Sequence, residues 1–199
     1  MEISVMNFKG GQGKTSIALN LAYSFDYGIV ANETYTVLKN HLDDNHLLIT
    51  TDAIPSGLDD VIYDFGGGIT KHMTDALKRS HVVIIPFVVE QANVEVTIEA
   101  INSVLPLNKN IILVPNKIKA TDKDYQILLD TLKEFGFDHL PICPIRSSMA
   151  LQNIFTEHKT IEQMQAEGGL NGFNYRKVSE DFNNLIKLIN TINTMKGDK

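Results

Sequence analysis

The chain has 199 residues, of which 43% are hydrophobic and 21% charged, and its formal net charge is −6. This composition is typical of a folded globular protein and excludes a disordered chain, a collagen-like chain and a coiled coil. The acidic balance argues against wholesale coating of nucleic acid, and the longest apolar runs are far shorter than the ~20 residues that span a bilayer. We therefore expect neither a signal peptide nor a membrane span.

Short apolar runs alternate with segments of helical periodicity along the chain. This alternation predicts a single α/β domain over residues 1–199, built on a doubly wound, mostly parallel sheet with helices on both faces. The predicted strands cover residues 3–8, 28–31, 47–50, 61–63, 82–87, 111–114 and 140–143. The predicted helices cover residues 14–24, 71–79, 94–105, 122–135 and 177–194, with a short helix at 35–42, one or two more over 151–164 and a loop at 168–172.

Three of these helices carry an apolar face that we expect to be buried. The last helix, at about 175–195, has an acidic start, an asparagine-rich polar face and few lysines, which favours packing on the domain over binding to a membrane. The three apolar faces consist of Val94, Ile98, Ile101 and Leu105, of Ile127, Leu128, Leu132 and Phe135, and of Phe182, Leu185, Ile186, Ile189 and Ile192.

A loop rich in glycine and lysine separates the first predicted strand from the first predicted helix. Glycines let consecutive backbone N–H groups turn toward a phosphate, and the helix that starts at Lys14 adds its positive end. In this interpretation Lys14 contacts the β- and γ-phosphates and Thr15 ligates Mg²⁺. The alternative is an ordinary glycine-rich turn, which the placement and the Gly-Lys-Thr ending disfavour. The candidate nucleotide-binding residues are Lys9, Gly10, Gly11, Gln12, Gly13, Lys14, Thr15 and Ser16.

The pattern Lys-Gly-Gly-x-Gly-Lys-Thr at residues 9–15 resembles the deviant Walker A motif of the ParA/MinD-type ATPases. Asn20-Leu21-Ala22 is similar to the helix that follows this motif in the family, and the resemblance continues to about residue 165. It implies a P-loop NTPase fold, ATP/ADP and Mg²⁺ as cofactors, and an ATP-dependent homodimer in which Lys9 reaches the partner's phosphates. It also implies an adaptor or centromere-binding protein and nonspecific DNA as partners.

Residues 61–64, Val-Ile-Tyr-Asp, form an apolar strand that ends in an acid, which is the Walker B pattern. A carboxylate at this position holds the Mg²⁺ shell through water, so Thr15 and Asp64 are the candidate metal residues. Asp64-Phe65-Gly66 also spells the metal-binding triplet of protein kinases, but no kinase catalytic loop accompanies it. The alternative for Asp64 is an ordinary turn residue at the end of a strand.

Asn116 follows the sixth predicted strand, where a nucleotide-binding sheet contacts the base. Lys119 stands where a guanine-reading pattern requires a carboxylate, and because lysine has no acceptor we expect ATP rather than GTP. The resemblance makes Asn116 the candidate base-contacting residue. It also makes the segment Pro144-Ile145-Arg146-Ser147-Ser148 the other wall of the base pocket, with Arg146 as the candidate binding residue. The alternatives, a turn asparagine and a surface arginine, remain open at this point.

The second predicted strand departs from the family pattern. An Asp-x-Asp segment that positions the attacking water is usual there, whereas this chain has Asn32 and Glu33. An amide orients water but is not a base, so Glu33 is the candidate replacement and Asp52 a second one without a spacing argument. The candidate catalytic residues are Lys9, Lys14, Asp64 and Glu33, and we expect ATP binding with slow hydrolysis.

Four functions remain compatible with these residues. The first is a ParA-type ATPase of plasmid or chromosome partition, whose DNA surface would use Lys117, Lys119, Lys123, Arg146 and Lys159. The others are a MinD-like positioning switch, a nucleotide-gated dimer with little hydrolysis, and a metabolic enzyme such as an amidoligase, for which 199 residues leave little room. The single cysteine, Cys143, excludes the nitrogenase iron protein and predicts a cytoplasmic location.

Overall fold

The computed structural model describes residues 1–119 and 124–197 and contains one parallel sheet. Its strands are β1 (Glu2–Met6), β2 (Gly28–Ala31), β3 (Leu47–Ile49), β4 (Val61–Phe65), β5 (Val82–Val88) and β6 (Ile111–Asn116). Their order across the sheet is β3-β2-β4-β1-β5-β6, and every pairing is parallel. The predicted doubly wound α/β architecture is confirmed.

Helices cover both faces of this sheet because alternate residues of a strand point to opposite sides. On β1, Ile3 and Val5 face α1, α5, α6 and α7, whereas Met6 faces α2, α3 and α4. A short 3-10 helix (Val37–Asn40) stands where the helix at 35–42 was predicted. The helices are α1 (Lys14–Phe25), α2 (Lys71–Arg79), α3 (Gln91–Val104), α4 (Asp124–Glu134), α5 (Ala150–Glu157), α6 (Ile161–Ala166) and α7 (Gly169–Gly197).

The predicted strand at 140–143 is reduced to an isolated parallel bridge between Ile142 and Leu113 of β6, and a further bridge joins Arg146 to Ile118 beyond the end of β6. Pro141 and Pro144 explain this, because proline cannot donate a ladder hydrogen bond. The segment still runs along β6: the Leu113 N–H donates to the Pro141 carbonyl at 2.9 Å. It therefore brings the chain back to the edge of the sheet where the carboxyl ends of the strands lie, without forming a regular strand.

The predicted loop at 168–172 is wrong, because α7 begins at Gly169 and includes most of it. Gly168 and Gly169 have positive φ and separate α6 from α7. Gly172 lies against α6, where an added Cβ would be 2.6 Å from the Gln165 carbonyl oxygen. Glycine is therefore used here for close packing of two helices rather than for a loop.

The apolar face of α7 packs on the domain as predicted: Phe182, Leu185 and Ile189 are buried, and Ile186 and Ile192 are partly buried against the same core. No helix in the described part of the chain is long and apolar enough to cross a bilayer. The face predicted for α4 is only half correct, since Leu128 and Leu132 are buried but Ile127 is 62% and Phe135 53% exposed.

Candidate nucleotide site

The loop between β1 and α1 is fastened to the end of β5 by two buried amides. The Asn7 side chain donates to the Pro86 carbonyl and accepts from the Lys9 N–H at 3.1 Å. Gln12 accepts from the Val88 N–H at 2.7 Å and donates to the Gly10 carbonyl. Gly13 has a φ of 88°, a left-handed conformation that favours glycine. These bonds hold an open loop around the start of α1.

Lys14 is turned toward its own loop, where its Nζ donates to the Lys9 carbonyl oxygen at 3.0 Å. Burial lowers the pKa of this amine, and the nearby carboxylates of Asp64 and Glu33 oppose that effect. An ammonium group that is partly desolvated and held by a single carbonyl is well placed to bind an anion instead. The lysine predicted to contact phosphate therefore lies inside the loop, together with the first residues of α1.

Asp64 lies at the carboxyl end of β4, directly beside the start of α1. Its Oδ2 accepts from the Thr15 hydroxyl at 2.8 Å, while its Oδ1 is buried with no hydrogen-bond partner among the described residues. Burial raises the pKa of Asp64 to about 6, and the Thr15 hydrogen bond and the Lys14 charge counteract this shift. A buried carboxylate oxygen without a donor is a position where a cation or its water would relieve an unfavourable burial.

A cleft of about 720 Å³ opens in front of this loop, within the usual range for ligand pockets of about 300–1,000 Å³. One wall is the phosphate loop from Gly10 to Ser16, and the opposite wall is the segment that leads into α5. The remaining lining residues are Glu33, Asn116, Lys117, Ser147, Ser148, Met149, Leu151 and Gln152. The cleft therefore brings together residues that are more than 130 positions apart in the sequence, such as Gly13 and Gln152.

Asn116 lines this cleft and also supports the phosphate loop. Its Nδ2 donates to the Gln12 carbonyl at 3.0 Å, and its Oδ1 accepts from the Lys117 N–H at 2.8 Å. It is packed so closely against Gly13 that an added Cβ there would collide with its Nδ2. The carboxamide predicted to contact the base is thus already bonded to backbone on both sides, with one N–H left over.

Arg146, predicted as the other wall of the base pocket, lies outside the cleft. Its guanidinium makes two bonds to the Asp181 carboxylate on α7, at 2.6 and 2.7 Å. Ser147 and Ser148 of the same predicted segment do line the cleft, together with Met149, Leu151 and Gln152. Sequence reasoning missed the last three residues, which follow that segment at the start of α5.

The carboxyl end of β2 holds the loop that follows Asp64. The Asn32 side chain accepts from the Gly66 N–H at 2.8 Å and donates to the Gly66 carbonyl at 3.1 Å and to the Met73 sulfur at 3.4 Å. Glu33 lies over the same glycine, so closely that a Cβ on Gly66 would collide with its carboxylate. Asn32 is therefore fully hydrogen bonded to protein, whereas Glu33 lines the cleft.

The other candidate residues are scattered around this centre. Asp52 is exposed in the loop between β3 and β4 and does not line the cleft. Of the predicted DNA-contacting residues, Lys117 lines the cleft, Lys119 and Arg146 line a neighbouring depression, and Lys159 pairs with Glu167 at 2.5 Å. Lys123 lies outside the described residues. Two of the four described cations are therefore already paired with carboxylates.

Comparison with known proteins places this geometry in a structural group. No protein-family model and no curated protein matches the sequence. Among solved structures, the ATP complex of a single-residue variant of Cyanothece McdA is similar with 14% identity and a TM-score of 0.65, over 95% of this chain and 96% of that one.

Two further solved structures are similar over nearly their whole length. A Borrelia burgdorferi protein assigned to plasmid partition and bound to AMPPNP has 18% identity and a TM-score of 0.56, over 94% of this chain and 98% of that one. The MinD of Pyrococcus horikoshii in complex with Mg-ADP has 13% identity and a TM-score of 0.57, again over 94% and 98%. The chain therefore has the fold of the ParA/MinD-type P-loop ATPases.

Proposed function

We propose that the chain is an ATP-binding ATPase of plasmid or chromosome partition, which dimerises around its nucleotide and hydrolyses it slowly. The observation that carries this proposal is the Thr15–Asp64 pair beneath the phosphate loop, with Oδ1 of Asp64 buried and unpartnered within the described part of the chain. The solved neighbours bound to ATP, AMPPNP and Mg-ADP support the same ligand class at this fold.

Thr15 and Asp64 fit a magnesium site because hydroxyl and carboxylate oxygens are the donors that Mg²⁺ prefers. Thr15 would hold the ion directly and Asp64 through a water. When bound, Mg²⁺ neutralises charge on the phosphate oxygens during phosphoryl transfer. A cation near Asp64 would also offset the burial that raises the pKa of its carboxyl to about 6.

Phosphate binding, orientation of the attacking water and contact with the base are assigned to different residues of the chain. The N–H groups of the loop cradle the phosphates, and Lys14 exchanges the Lys9 carbonyl for a phosphate oxygen. Glu33 is the carboxylate of the cleft closest to the Gly66 loop, and we assign it the orientation of the attacking water. Lys9 would reach the nucleotide of the partner in the homodimer, while Asn116 and Met149 flank the base.

Partition is favoured over a membrane-bound positioning switch because the apolar face of the last helix is buried against the domain. An adaptor or centromere-binding protein and nonspecific DNA are the partners in this proposal. Cys143 is a free, buried thiol whose pKa is raised to about 11 by burial, which supports a cytoplasmic protein without disulfides.

A nucleotide-gated dimer with little hydrolysis is the second candidate. It is favoured by Asn32, whose carboxamide is committed to Gly66 and so is not free to orient water. Hydrolysis rate separates the two candidates, whereas nucleotide affinity and dimerisation do not.

Nucleotide binding is tested with a fluorescent ATP analogue and Mg²⁺. We expect Lys14→Ala to weaken binding by about 10- to 100-fold, because it removes a charge-assisted contact of about 1.5–3 kcal/mol. The matched control is Lys78→Ala, an exposed lysine on α2, which should leave the affinity unchanged. Equal affinity of the Lys14 variant and the wild type would contradict the site.

Dimerisation is tested by light scattering with ATP, with ADP and without nucleotide. We expect a dimer with ATP only, and we expect Lys9→Ala to weaken the dimer more than nucleotide binding because its charge acts across the interface. A wild-type protein that stays monomeric at saturating ATP would overturn the dimer while leaving the nucleotide site intact.

A further inference from the structure

A second cleft lies between α3 and α4, on the sheet face opposite to α1. Its volume is about 700 Å³, and its floor is formed by Val94 and Ile98 of α3, by Ile127 and Leu128 of α4 and by Phe135 directly after α4. Ile127 and Phe135 are the two side chains that the periodicity of α4 predicts to be buried and that the fold leaves more than half exposed. Their exposure makes the cleft an open apolar groove, which we call the α3/α4 groove.

Acidic side chains stand along one edge of the α3/α4 groove. Glu90 and Glu95 line it together with Gln91, and both glutamates are exposed. Within residues 1–119 and 124–197 neither carboxylate takes part in an ion pair: Glu90 accepts from Asn93 and Glu95 from Gln91. Helix α3 also carries Glu99 and has no basic residue. The edge of the groove is therefore negatively charged along the first part of α3.

The α3/α4 groove begins immediately after the strand that anchors the phosphate loop. The Val88 N–H donates to Gln12 of that loop, and Val89 and Glu90 are the next two residues and line the groove. The Glu90 carbonyl then accepts the N–H groups of Asn93 and Val94 at the start of α3. A ligand in the groove thus contacts backbone that is one hydrogen bond away from the nucleotide site.

We propose that the α3/α4 groove binds an amphipathic helix of a partner protein, with its apolar face in the groove and lysines or arginines against Glu90 and Glu95. Exposed apolar residues at helical spacing bind the apolar stripe of another helix, and the acidic edge selects for a basic flank. A second copy of this chain is less suited, because its net charge is −6. The inference does not depend on ATP hydrolysis, and it identifies a contact site for the partner in the proposed function.

The experiment uses the full chain without nucleotide and two fluorescent helical peptides of roughly 18 residues. Both peptides carry leucines at i, i+3, i+4 and i+7, and the flanking residues are lysines in one peptide and glutamates in the other. Anisotropy titration should give a dissociation constant of about 10 µM for the lysine peptide and at least about tenfold weaker binding of the glutamate peptide.

Two sets of variants test the location. Ile127→Ser with Phe135→Ser removes the apolar contacts, and Glu90→Gln with Glu95→Gln removes the charge but keeps the acceptors. Each pair should weaken the lysine peptide at least about fivefold. Phe173→Ser, at an exposed phenylalanine on α7, is the matched control and should have no effect. Thermal unfolding of each variant checks that the fold is kept.

Three results would overturn the proposal. They are failure of the lysine peptide to bind, equal affinity for the two peptides, and equal losses in the groove and Phe173 variants. Sedimentation of the wild type and of the Ile127→Ser, Phe135→Ser variant tests whether a second copy of the chain occupies the groove. Self-association of the wild type that this double variant abolishes would also overturn the proposal. Since no nucleotide is present, none of these results depends on the ATP-binding test.

Discussion

Two neighbouring regions at the carboxyl ends of the strands differ in how completely their polar side chains are hydrogen bonded. At the ends of β1 and β4, Asp64 keeps a buried oxygen without a partner among the described residues, and Lys14 donates to the carbonyl of its own loop. At the end of β2, the carboxamide of Asn32 uses both its donors and its acceptor on Gly66 and Met73. The first region is arranged to receive a ligand, and the second is arranged to hold a loop.

This contrast shows where the chain departs from the family pattern that it resembles. An aspartate at position 32 would present two acceptors to Gly66, and the Gly66 carbonyl would then face a carboxylate oxygen. An asparagine matches both the N–H and the C=O of that glycine. Position 32 therefore holds the Gly66 loop in place. The carboxylate that remains at the end of β2 is that of Glu33.

Of the substitutions in these two regions, we expect the largest effect from replacing Glu33. Glu33→Gln should lower the steady-state rate of ATP hydrolysis by about 10²-fold, because a charge-assisted contact to water is replaced by a neutral one. Affinity for the ATP analogue should change less than about threefold, since the side chain is assigned to the water rather than to phosphate.

Phosphate release and analogue binding are measured on the wild type, Glu33→Gln and Glu33→Asp. A carboxylate that orients water should be rescued in part by aspartate and not by glutamine. Turnover that is identical in all three proteins would show that the water is held elsewhere, and the end of β2 would then be a purely structural region.

A smaller effect is expected when the hold on Gly66 is broken. Asn32→Asp should lower the free energy of unfolding by about 1–3 kcal/mol at neutral pH, because the bonds donated to the Gly66 carbonyl and the Met73 sulfur are lost and that carbonyl is left against a carboxylate. Urea denaturation measures this change, and Asn45→Asp, at an exposed turn asparagine, serves as the control. Equal stability of the Asn32 variant and the wild type would mean that these bonds contribute little.

The smallest effect concerns Arg146, which was expected in the base pocket. Arg146→Met should cost about 1–2 kcal/mol of unfolding free energy. Asp181 is mostly buried and loses its charged partner, while the half-exposed guanidinium and the remaining backbone N–H of residue 146 limit the loss. ATP-analogue affinity should remain unchanged. A tenfold loss of ATP-analogue affinity without a loss of stability would show that Arg146 contributes to nucleotide binding after all.

The parts of the site that were predictable from the sequence are those made by consecutive residues. Strand, glycine loop and helix follow one another over residues 1–25, so the position of the loop between β1 and α1 was predictable from the sequence. Thr15 and Asp64, which the motifs predict to share a metal site, lie in contact because β1 and β4 are adjacent parallel strands that end at the same edge. The register of two buried strands leaves little freedom there.

What could not be predicted depends on pairs that are distant in the sequence. Asn32 and Gly66 are 34 residues apart, and Arg146 and Asp181 are 35 apart. No periodicity connects the members of such pairs, because each pair is created by the packing of separate elements. The exposure of Ile127 and Phe135 has the same origin: a helix shows which residues share a face but not how much of that face its neighbours cover.

The contact between Gly13 and Asn116 has a consequence for the evolution of the chain. A Cβ on Gly13 would collide with the Asn116 amide, which in turn donates to the carbonyl of the neighbouring Gln12. The two positions are 103 residues apart in the sequence. A side chain at position 13 would displace the Asn116 amide, and a residue without that amide at position 116 would lose the bond to the loop. Among descendants of a common ancestor, we expect them to be inherited as a pair, and a homologue without the asparagine should have a differently shaped phosphate loop.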